Sequence, residues 1–300
     1  MTEFRYIAVI GPTGSGKSFL ATQLAERFSG ELINCDSVQV YKGFDIGSNK
    51  EIPAKIPLHL VDIVTPDADF DAAKFAELAR LQIADSLRRK KLPVVVGGTG
   101  LYLRALWGEN FDIGPAKDAS FRARVSRREN ADLYAELQAK DANRAAQLHP
   151  NDKVRIVRAL EIIELTGSSV TPAKIGSSKR GEAFVIKVDP DRSVLHQKIA
   201  VRAKHMLEYG LVEEVKNLLA GGVDPNSKPM QAIGYKQVVD FLSGQLSKAE
   251  LEDRIVFATR QYAKRQCTWF KKVNEDLRVE NPADIERFFD KISECLRLNA

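Results

Sequence analysis

Cysteine is scarce in this chain. Its three residues, Cys35, Cys267 and Cys295, lie far apart and match no zinc, redox or disulfide spacing, which points to a reducing compartment. The four histidines include no pair at ligand spacing, so neither a zinc site nor a Ser-His-Asp arrangement is expected. His59, in an apolar stretch, reads as a satisfied core or edge histidine. No apolar run approaches the roughly 20 residues of a membrane span. The opening Met1-Thr2-Glu3-Phe4-Arg5 lacks the basic-then-apolar pattern of a secretion signal, so a cytoplasmic protein is expected. Neither sign of charge dominates, and a net +5 permits a polyanionic partner without demanding one. There is no internal repeat. What remains is an ordinary globular composition, 44% hydrophobic and 28% charged over 300 residues, enough for one large or two modest domains.

Two glycine-rich turns stand out against that background. Ile7-Ala8-Val9-Ile10 leads into Gly11-Pro12-Thr13-Gly14-Ser15-Gly16-Lys17-Ser18, and Pro93-Val94-Val95-Val96 leads into Gly97-Gly98-Thr99-Gly100. The first satisfies G-x-x-x-x-G-K-[ST] with a strand before it and an amphipathic helix after it. Glycines let backbone N–H groups converge on an anion, and a helix N-terminus adds its dipole. Lys17 would reach a terminal phosphate, and the Ser18 hydroxyl would bind Mg²⁺. The second turn reads equally as a phosphate site or as a plain strand-to-helix corner.

Strands at 5–10, 31–35, 58–64 and 93–96 alternate with helices over Phe19–Phe28 and Asp71–Arg89. That alternation predicts an α/β fold, a P-loop NTPase-like parallel sheet flanked by helices, with ligands at the carboxyl ends of its strands. Asp36 and both glycine turns fall at that edge. The character changes after Trp107. The expected organisation is a first part of the core over 1–113, a mostly helical insertion over 114–193, and a helical second part of the core over 194–300. The Ser/Gly/Pro/Lys-rich stretch Thr166–Gly181 reads as a mobile loop. From Arg254 to Asn274 there are six Lys/Arg and no Asp/Glu, interleaved with Phe257, Tyr262, Trp269 and Phe270. Such a helix suits phosphate contacts and base stacking, or simply packs its aromatics inward.

The residues alone leave roles open. Asp36 serves as a general base, as a Mg²⁺ helper through water, or as a helix cap. Thr99 donates to a leaving phosphate only if its turn faces the first. Arg202, on a helix with Ile199, Met206 and Leu207, points to a site or to water. On these pieces the default is a P-loop kinase acting with ATP on a small acceptor, which leaves the second turn and the basic helix unexplained. An RNA-binding module with a vestigial P-loop is a further alternative.

A longer series of motifs goes further. Asp36-Ser37-Val38-Gln39-Val40-Tyr41, Asp45-Ile46-Gly47, His59-Leu60-Val61-Asp62, Gly97 to Tyr102 and His149-Pro150-Asn151-Asp152 follow the P-loop in order. Then come Arg155, Arg158 to Glu161, Arg202, Gly210 to Val215, Gln231 to Lys236, Thr259 to Gln266, and Trp269-Phe270. This series resembles the tRNA dimethylallyltransferase family. The resemblance implies transfer of a five-carbon prenyl group from dimethylallyl diphosphate to N6 of the adenosine 3′ of the anticodon (position 37) in tRNA, releasing diphosphate with Mg²⁺ assisting. It implies a P-loop, Gly11 to Ser18, that holds a diphosphate rather than ATP. It makes Asp36 the base and gives Thr99, Arg202, Lys17 and the metal near Ser18 the leaving group. It places Asp36, Ser37, Val38 and Gln39 against the target adenine, which must be flipped out of the loop. Arg122, the stretch Val154, Arg155, Ile156, Val157 and Arg158, and the stretch Gln231, Ala232, Ile233, Gly234, Tyr235 and Lys236 match positions expected to meet the anticodon stem-loop. A monomer suffices for that partner. A free-adenylate prenyltransferase would use the same chemistry, but the basic insertion and Gln231–Lys236 argue against it. Leu58-His59, Ser48-Asn49-Lys50-Glu51 and Lys198 depart from the family pattern without touching the residues assigned to chemistry.

Overall fold

The computed structural model describes residues 4–108, 118–168 and 182–297. It divides into two compact units, one formed by Met1–Trp107 with Ser178–Ala300 and the other by Gly108–Ser177.

The first unit is built on six parallel strands: β1 (Tyr6–Ile10), β2 (Glu31–Asn34), β3 (Leu58–His59), β4 (Pro93–Gly97), β5 (Ala183–Val188) and β6 (Leu277–Val279). Their order is β3-β2-β4-β1-β5-β6. β1, β4 and β5 are buried along their whole length, which is why they are apolar rather than alternating, with Lys187 of β5, paired with Glu275 at 2.9 Å, as the exception. One face of the sheet packs Ile7, Val9, Val94, Phe184 and Ile186 against Leu20 and Leu24 of α1 (Lys17–Arg27). Helices α2 (Ala72–Arg88) and α3 (Gly100–Trp107) pack on each other, and α2 meets β2 and β4. Asp71 caps α2 by accepting from the Ala73 and Lys74 N–H groups.

The second unit carries α4 (Ala119–Val125), α5 (Asn130–Lys140), α6 (Ala142–Ala145) and α7 (Lys153–Thr166) around Leu133, Leu137, Ile156, Ala159 and Leu160. The chain then returns to the first unit for α8 (Arg192–Glu208), α9 (Leu211–Ala220), α10 (Tyr235–Leu242), α11 (Lys248–Phe270), a 3-10 helix at Pro282–Phe288, and α12 (Phe289–Leu296).

Three expectations shift. The insertion does not run to residue 193, because β5 pairs with β1 from Tyr6↔Ala183 to Ile10↔Lys187 and belongs to the sheet. The part after residue 194 is not wholly helical, since β6 extends the sheet beside β5. The third strand covers only Leu58–His59, because Leu60 and Asp62 turn into the left-handed region at φ 61° and 52°. Residues 109–117 and 169–181, which include most of the stretch read as a mobile loop, lie outside the described residues.

Candidate active site

Gly16 starts α1 in the left-handed region, φ 88°, with no side chain capping the helix. The first N–H groups of α1 are therefore left for an anion. Gly11 is a close-approach glycine, since a Cβ there would stand 2.6 Å from the Val188 carbonyl oxygen. The Ser15 hydroxyl inside the loop is fully buried and makes no hydrogen bond. Lys17 Nζ lies 3.4 Å from the Pro12 carbonyl oxygen, and loss of hydration draws its pKa to about 8. The Asp36 charge opposes that shift and Arg202 adds to it. A cradle with an unbonded buried hydroxyl and a desolvated ammonium suits an anion.

The second turn does face the first. Gln266, buried on α11, accepts from the Thr13 N–H at 2.8 Å and donates to the Gly98 carbonyl at 2.8 Å. Arg202 Nη2 donates to Thr13 Oγ1 at 2.6 Å, so this arginine points into the site rather than to water. Burial lowers its pKa, opposed by the charges of Asp36 and Glu51. Thr99 Oγ1 is shielded from solvent and interacts with Tyr262, whose phenol is pushed up to about 12 by burial first and by Asp36 second.

Asp36 follows β2. Its Oδ1 accepts from the Val38 N–H at 2.8 Å and the Gln39 N–H at 3.4 Å, which fixes the carboxylate as a turn cap. The cap and the site are one residue, because Asp36 also lines two cavities, of about 300 and about 340 Å³. Thr13, Ser48 and Arg202 line both with it. The smaller cavity is walled by Ile199, Met206, Ile233, Ile255 and Tyr262, and the larger by Lys17, Ser18, Asn34 and Gln39. Gln39 Nε2 donates to the Ser48 carbonyl at 3.0 Å and the Asn49 carbonyl at 3.3 Å. Its Oε1 is thereby the end left to accept. The loop carrying Ser48 is held by Glu214, which accepts from the N–H groups of Asp45, Ile46 and Gly47 and from the Tyr235 hydroxyl at 2.6 Å.

The stretch Gln231–Lys236 is therefore mixed. Gln231, Ala232, Ile233 and Gly234 line the smaller cavity, and Lys236 is exposed beside Asp240. Tyr235 is fully buried and bonded to Glu214, so it supports the loop instead of presenting a surface to RNA. Sequence reasoning left Gln266 and Glu214 without roles. Their partners are 253 and 169 residues away at the extremes, and no local pattern marks such bonds.

The candidate RNA residues of the second unit are described within it. Val154 and Arg155 are exposed on α7, Val157 is half-buried, and Ile156 is fully buried in the helical core, where it has no face for a ligand. Glu161 is fully buried and accepts from the Asp118 N–H, from Arg122 at 2.7 and 2.9 Å, and from Arg158 at 2.6 Å. Burial pushes its carboxyl up, but the two guanidiniums and the N–H outweigh that and hold it at about 2. On α11, Arg254, Arg260, Lys264 and Arg265 are exposed with Phe257, while Ala263, Gln266 and Phe270 face inward. His59 pairs with Glu31 at 3.0 Å, the structural role its strand position suggested. Among the described residues no group of three or more His, Cys, Asp or Glu forms a metal cage, and no helix is long and apolar enough to cross a membrane.

The profile of the IPP transferase family matches residues 39–273. The chain is 42% identical over 303 residues to tRNA dimethylallyltransferase 2 of Syntrophus aciditrophicus, covering 98% of this chain and 97% of that one. It is 42% identical over 302 residues to the tRNA dimethylallyltransferase of Geobacter sulfurreducens, covering 97% and 96%. The full-length tRNA isopentenylpyrophosphate transferase from Bacillus halodurans superposes with a TM-score of 0.72 at 35% identity, over 99% of this chain and 97% of that one. A eukaryotic dimethylallyltransferase, captured in crystallographic snapshots acting on tRNA, superposes with a TM-score of 0.78 at 30% identity, over 96% of this chain and 76% of that one.

Proposed function

Because this chain belongs to the IPP transferase family and prenylates adenosine in tRNA, we propose that its Asp36 takes the N6 proton of the adenosine 3′ of the anticodon (position 37) as dimethylallyl diphosphate loses diphosphate into the P-loop. The N6–C1 bond forms, the C1–O bond breaks, the N6 proton goes to the Asp36 carboxylate, and the bonding pair leaves with diphosphate. An exocyclic amine is a poor nucleophile, since its lone pair is delocalised into the ring, so a base at the nitrogen matters. The observation that carries this assignment is the position of Asp36 on both cavities, one with Ile199, Met206, Ile233 and Ile255 in its wall and one lined by Lys17 and Ser18.

Charge develops on the departing diphosphate. Lys17, Arg202, the uncapped N–H groups of α1 and the Ser15 and Thr99 hydroxyls meet it. Asp36 and the free Gln39 Oε1 are both acceptors. Together they suit the two N–H bonds of adenine N6 and oppose the O6 of guanine. Ser18, in the cavity with Lys17 and Asp36, is the residue that would hold Mg²⁺. A site whose described residues offer a hydroxyl and no carboxylate cage fits an ion that keeps waters and takes most of its remaining ligands from substrate phosphates. Bound there, Mg²⁺ would neutralise charge on the leaving group.

Exposed Arg155 and the outer face of α11 supply phosphate contacts for the stem-loop, and Gln231 to Gly234 border the pocket the flipped base enters. One compact stem-loop needs only a monomer, working in the cytoplasm. The test is labelled-prenyl transfer to an anticodon stem-loop with three consecutive adenosines, beside Asp36→Ala and a loop with guanosine at the target. Transfer to the adenosine loop alone, reduced about 100-fold or more by Asp36→Ala, is expected. Transfer that survives Asp36→Ala removes Asp36 as base. No transfer from folded wild type with Mg²⁺ present would overturn the stem-loop target and the donor site assigned here.

A further inference from the structure

Resting on the transfer chemistry above, we propose that Gln266 is a positioning residue for the diphosphate: its amide joins the two glycine turns and, through Thr13, sets where Arg202 stands. Gln266 sits on the inner face of α11, whose outer face carries Arg260 and Lys264, and the neighbouring Arg265 lines the smaller cavity. Its Oε1 accepts from the Thr13 N–H and its Nε2 donates to the Gly98 carbonyl, both at 2.8 Å. Both ends of the amide are used, so its orientation is fixed. Reversing it would set donor against donor and acceptor against acceptor.

The fit leaves no slack. A Cβ on Gly98 would lie 2.4 Å from Gln266 Nε2 and 3.2 Å from the Gly11 carbonyl oxygen. Thr13 is held at both its polar groups, the N–H by Gln266 and the hydroxyl by Arg202 at 2.6 Å. A continuous path of hydrogen bonds thus runs from Gly98, beside Thr99, through Gln266 and Thr13 to Arg202. Two turns joined this way keep one spacing, and a diphosphate gripped from both sides needs that spacing to be constant. With the Thr13 N–H already engaged, the anion is left to the N–H groups at the start of α1. Glutamate at this position keeps the acceptor but sets a carboxylate oxygen against the Gly98 carbonyl. Methionine keeps the shape and offers neither bond. The helix whose charges belong to RNA therefore also serves the prenyl-donor half of the reaction.

The experiment compares wild type, Gln266→Met and Gln266→Glu by calorimetric titration with inorganic diphosphate and Mg²⁺, by KM for dimethylallyl diphosphate, by stem-loop binding and by Tm. Expected are a diphosphate dissociation constant and donor KM raised about tenfold or more in both variants, with stem-loop affinity held within about twofold. Combining Gln266→Met with Arg202→Lys should lose less than the product of the single losses, because both act on one guanidinium position. A lowered Tm with donor-side values unchanged would overturn the proposal and leave Gln266 a packing residue. Weakened stem-loop binding with unchanged diphosphate binding would overturn it in favour of an RNA contact. Should Gln266→Glu fail to fold, Gln266→Met decides. Wild type that binds diphosphate but transfers no prenyl group would sink the reaction above, yet the Gln266 comparison would stand, since it is made on diphosphate binding.

Discussion

Replacing Gly97 by alanine should displace the proposed base without touching it. An added Cβ would stand 2.1 Å from the Cys35 carbonyl oxygen, 2.5 Å from its carbonyl carbon and 2.7 Å from its Cβ. Comfortable contact between such atoms begins near about 3.5 Å, so β2 and β4 must part by about 1 Å at this point. The bond from the Cys35 N–H to the Val96 carbonyl, 2.8 Å long, does not survive that separation. Overpacking of this kind costs about 1–3 kcal/mol and the lost bond about 1 kcal/mol more. For a chain of this size that lowers Tm by about 3–6 °C. The sharper effect is on rate. Asp36 is the residue after Cys35, just past the end of β2, and a displacement of about 1 Å at a reacting group costs about 100-fold in turnover. The assay is kcat for prenyl transfer at saturating donor and stem-loop, run well below the variant's Tm, with Tm measured by calorimetry. Gly97→Ala with wild-type kcat and wild-type Tm would refute the close approach and with it the placement of Asp36.

Three other outcomes are expected. With a pKa of about 8, Lys17 is charged in the free enzyme below that pH and must take up a proton to bind diphosphate above it. Diphosphate affinity should therefore fall as pH rises from 7.5 to 9.5, by up to about tenfold per unit, and Lys17→Met should bind weakly with that extra slope gone, as read by calorimetry in buffers of different ionisation enthalpy. Glu161→Gln should destabilise the helical unit by about 3 kcal/mol, the equivalent of holding a buried carboxyl at about 2 rather than 4.5, read as faster hydrogen exchange over residues 118–168. Because the folded value lies below the unfolded one, that contribution is complete above pH 4.5 and is lost as pH falls toward 2. Chelating Mg²⁺ with EDTA should cut prenyl transfer about tenfold or more, and excess Mg²⁺ should restore it. An unchanged rate would free Ser18 of its assigned ion.

Both glycine turns and Asp36 were legible because each follows an apolar strand directly, and a parallel sheet puts every strand's carboxyl end on one edge. β5 was not, because Lys187 breaks its apolar run and it lies beyond a polar stretch that separates it in sequence from the other strands. β6 is three residues long, below what periodicity can detect. Arg202 has apolar neighbours on its helix, and nothing local says that Thr13 waits 189 residues away to receive it. Tyr235 and Ile156 fell inside stretches matched to RNA contacts, and only packing separates the members of such a stretch that face outward from those that support it.

The strand order has a consequence for the growing chain. β1 is made first but is flanked on one side by β4 and on the other by β5, which emerges more than 170 residues later. Until then the nascent sheet ends at β1, and a buried apolar strand is held as an open edge. The helical unit is translated entirely within that interval. Its helices can form from local contacts while the sheet waits, so the smaller unit encoded in the middle is poised to fold before the larger one that surrounds it in sequence.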